Sequence, residues 1–186
     1  IEGMTLASSC SIGIAQSPEH GTTKNVLMKH ADAALYKAKA RGRNTFQWYS
    51  EELQHAADRR LLIYNGLQTA VRNAELELYV QPIVDAQSGV YVSAEALLRW
   101  RSRELGPIPP DEFIPLAEET GLIGMIGNWV IEEACRVQRA WLDRGIDLHL
   151  SVNVSARQLL EPGFEYYFRE ACRVAGVPPE KIGVEI

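Results

Sequence analysis

Three polar side chains in the second half of the chain lie in segments that are predicted to be strands. Glu95 follows the apolar run that begins at Val90, Asn153 lies in DLHLSVNVS, and Glu185 lies in KIGVEI. A charged group in such a strand is costly unless it is paired or binds a metal. Two carboxylates and an amide oxygen form an all-oxygen ligand set, which suits Mg²⁺ or Mn²⁺ better than zinc or copper. The residue types therefore favour a divalent metal site.

Two further side chains are placed to serve the same site. Arg99 follows Glu95 by four residues, so the two share one face of an extended strand, about 13 Å apart at a rise of ~3.3 Å per residue. An arginine at the rim of a metal site suits a phosphate group, which the guanidinium can hold with two hydrogen bonds. In the preceding predicted strand, the alternation of side chains puts Gln81 on the face that corresponds to Glu95 and Arg99, so Gln81 would line the same site.

A purely structural interpretation of these residues stays open on spacing alone. A single glutamate in a strand is more often an exposed edge residue or an ion-pair partner than a metal ligand. Glu95 and Arg99 could pair with other residues at the end of the sheet, and Asn153 and Ser155 could hydrogen-bond a loop.

The composition is that of an ordinary globular chain. The 186 residues are 46% hydrophobic and 23% charged, with a formal net charge of −5. This charge argues against general binding to nucleic acid or to anionic membranes, although it allows a small anion held by a few basic residues. We find no signal peptide and no apolar run long enough to span a bilayer. The chain lacks an initial Met and stops within a predicted strand, so we expect a fragment of a larger protein.

The cysteines predict neither a metal site nor a disulfide framework. Cys10, Cys135 and Cys172 are far apart, odd in number and surrounded by apolar residues. We therefore expect three buried free thiols in a reducing compartment.

Apolar spacing predicts the elements of the first half. A strand is expected over Ser8–Ala15, and helices over Asn25–Arg41 and Ser50–Val71. The second helix is expected to connect two domains through one packed stripe, which comprises Leu53, Ala57, Leu61, Tyr64, Leu67 and Val71.

The second half begins with an antiparallel hairpin and continues as alternating strands and helices. The hairpin strands are predicted over Leu76–Val84 and Val90–Arg99, with Pro82 marking the first as an edge or terminal strand. Gly106–Phe113 is predicted to be mainly a loop. Helices are then expected over residues 111–120, 125–144 and 165–175, and strands over 147–155 and 181–186. This alternation predicts a mostly parallel α/β sheet, either open or closed into a barrel.

An ordered series of motifs carries a family resemblance. The segments LYVQPIV, AEALLRW, GPIPPDEFIPLAEETGLI, IGNWVIEEAC, LSVNVSARQL and VEI resemble the EAL family of cyclic di-GMP phosphodiesterases over nearly all of Glu75–Ile186. SCSIGIA and HADAALYKAKARGRN resemble the C-terminal end of a GGDEF diguanylate cyclase domain. The chain is thus similar to the junction of a tandem GGDEF–EAL protein, a bacterial signalling arrangement.

The resemblance implies a domain organisation and a fold. Residues 1–49 would be the C-terminal part of the GGDEF domain, 50–73 a connecting helix and 74–186 the N-terminal part of the EAL domain. The implied fold class is α/β: a truncated, TIM-like (β/α)8 barrel of EAL type with an antiparallel first strand, preceded by the C-terminal piece of an α+β GGDEF domain.

The resemblance also implies roles at matching positions. Metal ligands for Mg²⁺ or Mn²⁺ would be Glu95, Asn153 and Glu185, with no further catalytic residue in this segment. Gln81 and Arg99 would bind cyclic di-GMP. In the GGDEF part, Lys39 and Arg43 would contact nucleotide phosphates; the alternative is a solvated basic helix end that favours the helix dipole.

The implied activity is metal-assisted hydrolysis of cyclic di-GMP to linear pGpG in the full-length parent, with diguanylate cyclase activity as a further expectation for the GGDEF part. The alternative is a receptor that binds cyclic di-GMP without cleaving it. The family's paired-Asp motif and catalytic Lys would follow Ile186, so the fragment itself is expected to be inactive. Implied partners are cyclic di-GMP and a second copy through the EAL domain, without nucleic acid. The expected location is the cytoplasm, with membrane contact only through missing domains.

Overall fold

A short parallel sheet organises the first of two units in this chain. The structure is a computed structural model that describes residues 9–186, with the division between the units at Leu62 and Ile63. Strands β1 (Ile12–Ile14) and β2 (Phe46–Trp48) pair in parallel. The prediction of a strand near the start is confirmed for β1, whereas Ser8 lies outside the described residues.

Helix α1 (Lys24–Ala40) joins these two strands, as the apolar spacing predicted. The Thr23 side chain caps its N-terminus by accepting a hydrogen bond from the Val26 amide. At Gly13 strand β1 lies so close to α1 that a Cβ would overlap the Ala31 carbonyl oxygen. Strand β2 was missed, because a three-residue strand carries too little alternation to be recognised.

Helix α2 (Glu51–Ala70) spans the division between the units, and its last turns contribute to the second unit. The buried side chains are Ile63, Leu67 and Ala70. The predicted stripe is wrong at Leu61, which is 58% exposed. Two residues correspond to a rotation of about 200° around a helix, so Leu61 and Ile63 lie on nearly opposite sides of α2. The side that carries Ile63 is the one buried in the second unit.

The second unit is built on a five-stranded mixed sheet. Its strands are β3 (Leu76–Val84), β4 (Tyr91–Ser102), β5 (Gly106–Ile108), β6 (His149–Asn153) and β7 (Ile182–Glu185). The order is β3-β4-β6-β7, with β5 paired to β4. Strands β3 and β4 form the predicted antiparallel hairpin, and β4, β6 and β7 are parallel. Within the described residues β3 is an edge strand, as Pro82 indicated.

Strand β5 corrects the predicted loop over Gly106–Phe113. Gly106–Ile108 pairs with Trp100–Ser102, which extends β4 three residues beyond its predicted end. The hydrogen bonds between β4 and β5 require the chain to reverse at residues 103–105, and the local sequence does not indicate this reversal.

Helices cover one face of this sheet. They are α3 (Pro110–Thr120), α4 (Ile123–Leu142), α5 (Ala156–Leu159) and α6 (Phe164–Ala175). The core lies between them and the buried strand residues Ala94, Ala96, Trp100, Leu150 and Val152. Because side chains alternate along a strand, Glu95, Ser151 and Asn153 belong to the opposite face.

Trp100 is the largest fully buried side chain of this core. Its indole Nε1 donates a hydrogen bond to the buried Glu75 carboxylate at 3.1 Å. The ring meets Phe113 edge-on, with the centroids 5.5 Å apart. A Cβ on Gly66 would stand 3.1 Å from the indole, so α2 approaches the ring closely.

The cysteine prediction is confirmed for two residues and wrong for one. Cys135 and Cys172 are buried free thiols with their sulfurs 3.8 Å apart. Cys10, which precedes β1, is exposed. Across the described residues, no helix has both the length and the apolar character needed to cross a membrane.

Replacing Trp100 by Leu should lower the free energy of unfolding of the second unit by ~3 kcal/mol. The change creates a cavity and leaves the Glu75 carboxylate without its indole donor. Calorimetry of the full-length protein measures this, with Trp48→Leu as a control because Trp48 is 46% exposed in the first unit. Equal shifts of the unfolding transition of the second unit in both variants would contradict the buried role of Trp100.

Alkylation of the native protein at pH 8 should label Cys10 alone among these three thiols. Burial raises the pKa of the Cys135 thiol to about 12 and also raises the pKa of Cys172. Both thiols therefore stay protonated and unreactive, since only the thiolate is a good nucleophile. Mass spectrometry of tryptic peptides should find all three labelled after denaturation, and native labelling of Cys135 would disprove the packing described.

Candidate active site

The carboxyl ends of two parallel strands bring Asn153 and Glu185 together. The two residues are direct partners in the β6–β7 register, and the Val154 amide donates to the Glu185 carbonyl at 2.8 Å. At the opposite end of these strands Lys181 donates to the Asp147 carboxylate, and this hydrogen bond lowers the pKa of Asp147. The register of β7 against β6 is thus held at both ends.

Strand β4 supplies Glu95 to the same face. Its neighbours in register are Gln81 on β3 and Ser151 on β6. The Asn153 Nδ2 donates to Glu95 Oε1 at 2.6 Å, so two predicted ligands are in direct contact. Glu95 is the fifth residue of β4, whereas Asn153 and Glu185 are the last residues of β6 and β7.

The donor atoms fit a hard divalent cation. The contact to Glu95 uses the amide nitrogen of Asn153, which leaves the Asn153 Oδ1 and the carboxylate of Glu185 as further oxygen donors. No group of three His, Cys, Asp or Glu side chains that could hold a metal occurs among residues 9–186. A metal site formed by the two carboxylates and the Asn153 amide therefore stays a prediction.

The contacts of Arg99 in the described part of the chain are with neutral groups. Its Nη1 donates to the Leu98 carbonyl at 2.8 Å, and its guanidinium carbon lies 5.8 Å from the centre of the Tyr79 ring. The nearby Glu77 carboxylate lies 3.7 Å from Nε of Arg101 instead. Within the described part of the chain, neither Glu95 nor Arg99 takes part in an ion pair. Neither residue therefore forms, within residues 9–186, an ion pair of the kind that a purely structural role would allow.

One cavity is lined by Arg99 and by one of the metal-ligand candidates, Asn153. It has a volume of about 370 Å³. The remaining wall is largely apolar and includes Leu97, Ile114, Ile126 and Val130. A second cavity of about 530 Å³ lies on the Tyr79 side of Arg99. Arg99 therefore lines two cavities.

The other predicted contacts lie in accessible positions. Gln81 is exposed and stands directly opposite Glu95. Lys39 lies in the last turn of α1, and Arg43 follows in a turn with φ of 61°; both are exposed. A role for these three residues in ligand binding stays a prediction.

A buried capping box holds the turn that follows Asn153. The Ser155 side chain accepts from the Gln158 amide, and the Gln158 side chain accepts from the Ser155 amide. Gln158 is only 4% exposed, and it fits because Gly127 of α4 leaves room for it. Sequence reasoning missed this support, although Ser-x-x-Gln after a strand is a capping-box signature.

Comparison with known proteins identifies the family. Residues 65–186 match the EAL domain, and residues 1–45 match the GGDEF domain of diguanylate cyclases. The chain belongs to the EAL domain family and has the tandem GGDEF–EAL order. Its sheet, with an antiparallel first strand and helices on one face, is a truncated TIM-like EAL fold. Phosphodiesterases of this family depend on a divalent metal ion.

Named relatives cover nearly the whole chain. It is 41% identical over 179 residues to the bifunctional diguanylate cyclase/cyclic di-GMP phosphodiesterase MucR of Pseudomonas aeruginosa, a match to 96% of this chain and 26% of MucR. It is 44% identical over 154 residues to the cyclic di-GMP phosphodiesterase PdeR of Escherichia coli, a match to 83% of this chain and 23% of PdeR. The chain thus spans about a quarter of these relatives.

Solved structures share the fold. The PaMucR phosphodiesterase in complex with c-di-GMP superposes with a TM-score of 0.65 at 40% identity, over 67% of this chain and 51% of that one. The FimX EAL domain of Pseudomonas aeruginosa bound to c-di-GMP gives a TM-score of 0.58 at 27% identity, over 66% of this chain and 48% of that one.

Replacing Gly127 by Ala should destabilise the EAL part by about 1–3 kcal/mol, because the new Cβ would overlap the buried Gln158 amide. Gly124→Ala on the same helix is the matched control. Its Cβ would meet only the exposed Glu161 carboxylate at 3.2 Å, and alanine favours a helix over glycine by up to about 1 kcal/mol. Thermal unfolding of both variants compares them, and a Gly127→Ala variant as stable as Gly124→Ala would refute the role of this contact.

Proposed function

We propose that the full-length protein carrying this chain hydrolyses cyclic di-GMP to linear pGpG. The observation that carries the proposal is the contact between Asn153 and Glu95 beside a cavity that Arg99 also lines. An oxygen-rich ligand set next to an arginine that has no ion-pair partner among residues 9–186 is suited to a phosphodiester. The names of MucR and PdeR as cyclic di-GMP phosphodiesterases support the same substrate.

In this proposal Glu95, Asn153 and Glu185 hold the metal, which would be Mg²⁺ or Mn²⁺. When bound, such an ion lowers the pKa of a water nucleophile and offsets charge on the phosphoryl oxygens. The donor to Glu95 is an amide rather than a cationic side chain, so this contact does not pair the carboxylate with a positive charge.

Arg99 and Gln81 bind the substrate in the proposed mechanism. The guanidinium takes a phosphate oxygen pair and orients the phosphodiester for in-line attack. Gln81, opposite Glu95 in the register, is placed to hydrogen-bond the ligand beside the ion.

The proposal extends to the rest of the chain. Residues 1–49, 50–73 and 74–186 form the end of the GGDEF domain, the connecting helix and the first part of the EAL domain. Lys39 and Arg43 contact nucleotide phosphates in the GGDEF part, a role supported by their exposure around the end of α1. A contribution of the whole GGDEF domain to diguanylate cyclase activity belongs to the same proposal.

We also propose a cytoplasmic location and a homodimer through the EAL domain. Free thiols at a sulfur–sulfur distance of 3.8 Å fit a reducing compartment. The exposed apolar side chains Tyr166 and Val174 of α6, 76% and 71% accessible, are suited to a protein contact.

Incubation of the full-length protein with cyclic di-GMP and Mg²⁺ or Mn²⁺ should yield pGpG on chromatography, and a chelator should abolish the product. Glu95→Gln should lower turnover at least ~100-fold, since it removes a ligand charge that the metal's Lewis-acid role depends on. Glu104→Gln, which alters an exposed residue of the β4–β5 turn, is the control.

Three outcomes separate the possibilities. Product that requires metal and Glu95 supports the phosphodiesterase. Binding without product in the wild type would instead establish the receptor alternative. Full turnover in Glu95→Gln would overturn the assignment of Glu95 as a metal ligand.

A further inference from the structure

We propose that Tyr79 is the positioning residue of Arg99: its ring holds the guanidinium toward the phosphate of the substrate without neutralising it. The inference rests on the proposed function and concerns a residue outside the ligand set described above. It follows from the strand register, from the neutral groups that contact Arg99, and from the Glu77 carboxylate, which is within ion-pair distance of Arg101 instead.

The antiparallel register places the two side chains within reach. Tyr79 is opposite Leu97, and Arg99 is two residues further along the same face of β4. Such diagonal neighbours interact when one of them is aromatic or long. The guanidinium carbon lies 5.8 Å from the ring centre, inside the ~6 Å range of a cation–π interaction.

The partners of Arg99 leave its charge available. Glu77 is its direct partner in the register, yet the Glu77 carboxylate is within ion-pair distance of Arg101. The Leu98 carbonyl takes one N–H of Arg99 at 2.8 Å. A carboxylate in the place of the ring would compete with a phosphate for the same donors, whereas an aromatic face leaves most of them free.

The ring also restricts a flexible side chain. Arginine loses substantial rotamer freedom when it is ordered, and a substrate that must order it binds more weakly. Tyr79 is 49% exposed, so its removal leaves the buried core intact. We therefore expect Tyr79 to affect substrate affinity more than stability.

The test compares Tyr79→Leu, Tyr79→Phe and the control Tyr91→Leu in the full-length protein. Tyr91 is a similarly exposed tyrosine at the start of β4. Tyr79→Leu should raise the KM for cyclic di-GMP by about three- to tenfold, the range of a partly exposed cation–π interaction. Tyr79→Phe keeps the ring and should restore the wild-type KM, while kcat and the thermal midpoint change little in all three variants.

A second background tests whether the effect passes through Arg99. In Arg99→Ala protein, Tyr79→Leu should add nothing, because the group that it positions is gone. An equal effect of Tyr79→Leu with and without Arg99, or a wild-type KM in Tyr79→Leu, would overturn the positioning role. If the wild type binds cyclic di-GMP without cleaving it, the same comparisons are made on Kd.

Failure of the proposed function gives a different result. A wild-type protein that neither cleaves nor binds cyclic di-GMP would refute both the function and the role of Tyr79. A wild-type enzyme with an unaffected Tyr79→Leu variant would refute the positioning role alone.

Discussion

The hydrogen-bond register of β4 is the constraint on which the rest of the second unit depends. This strand pairs antiparallel with β3 on one side and parallel with β6 on the other. The two registers set Gln81, Glu95 and Ser151 in one row across the sheet. Since side chains alternate with a period of two, a slip of one residue would turn Glu95 into the core and Ala94 out of it. The core and the candidate site are therefore specified by the same pairing.

The two faces of β4 have different surroundings: one packs against the helices and the other carries charged side chains. On one face Ala94 and Ala96 are small enough for the helices to pack closely, and Trp100 fills the remaining space. On the other face Glu95 and Arg99 carry opposite charges, but each contacts neutral groups. An ion pair between them would stabilise each charge at the expense of ligand binding. Neutral partners hold the side chains without neutralising either charge.

Support for the site comes from residues that would not contact the ligand. The capping box of Ser155 and Gln158 fixes the turn after Asn153, and Gly127 makes room for it. The Lys181–Asp147 contact holds the far end of the β6–β7 pair. The Gly127–Gln158 and Lys181–Asp147 contacts join segments that are distant in sequence, which is why the spacing of the polar residues did not reveal them. The capping box, in contrast, is local and has a sequence signature.

The sequence by itself determined the hairpin, the parallel alternation and the identity of the candidate ligands, because periodicity and residue chemistry are local properties. The alternation of side chains along the two predicted strands was sufficient to place Gln81, Glu95 and Arg99 on one face. The tertiary structure decided the pairing of Gly106–Ile108, the buried side of α2 and the exposure of Cys10. It also decided that Asn153 meets Glu95 and that Tyr79 meets Arg99. Each of these depends on which distant segment comes close, and that is set by the packing of the whole sheet and its helices.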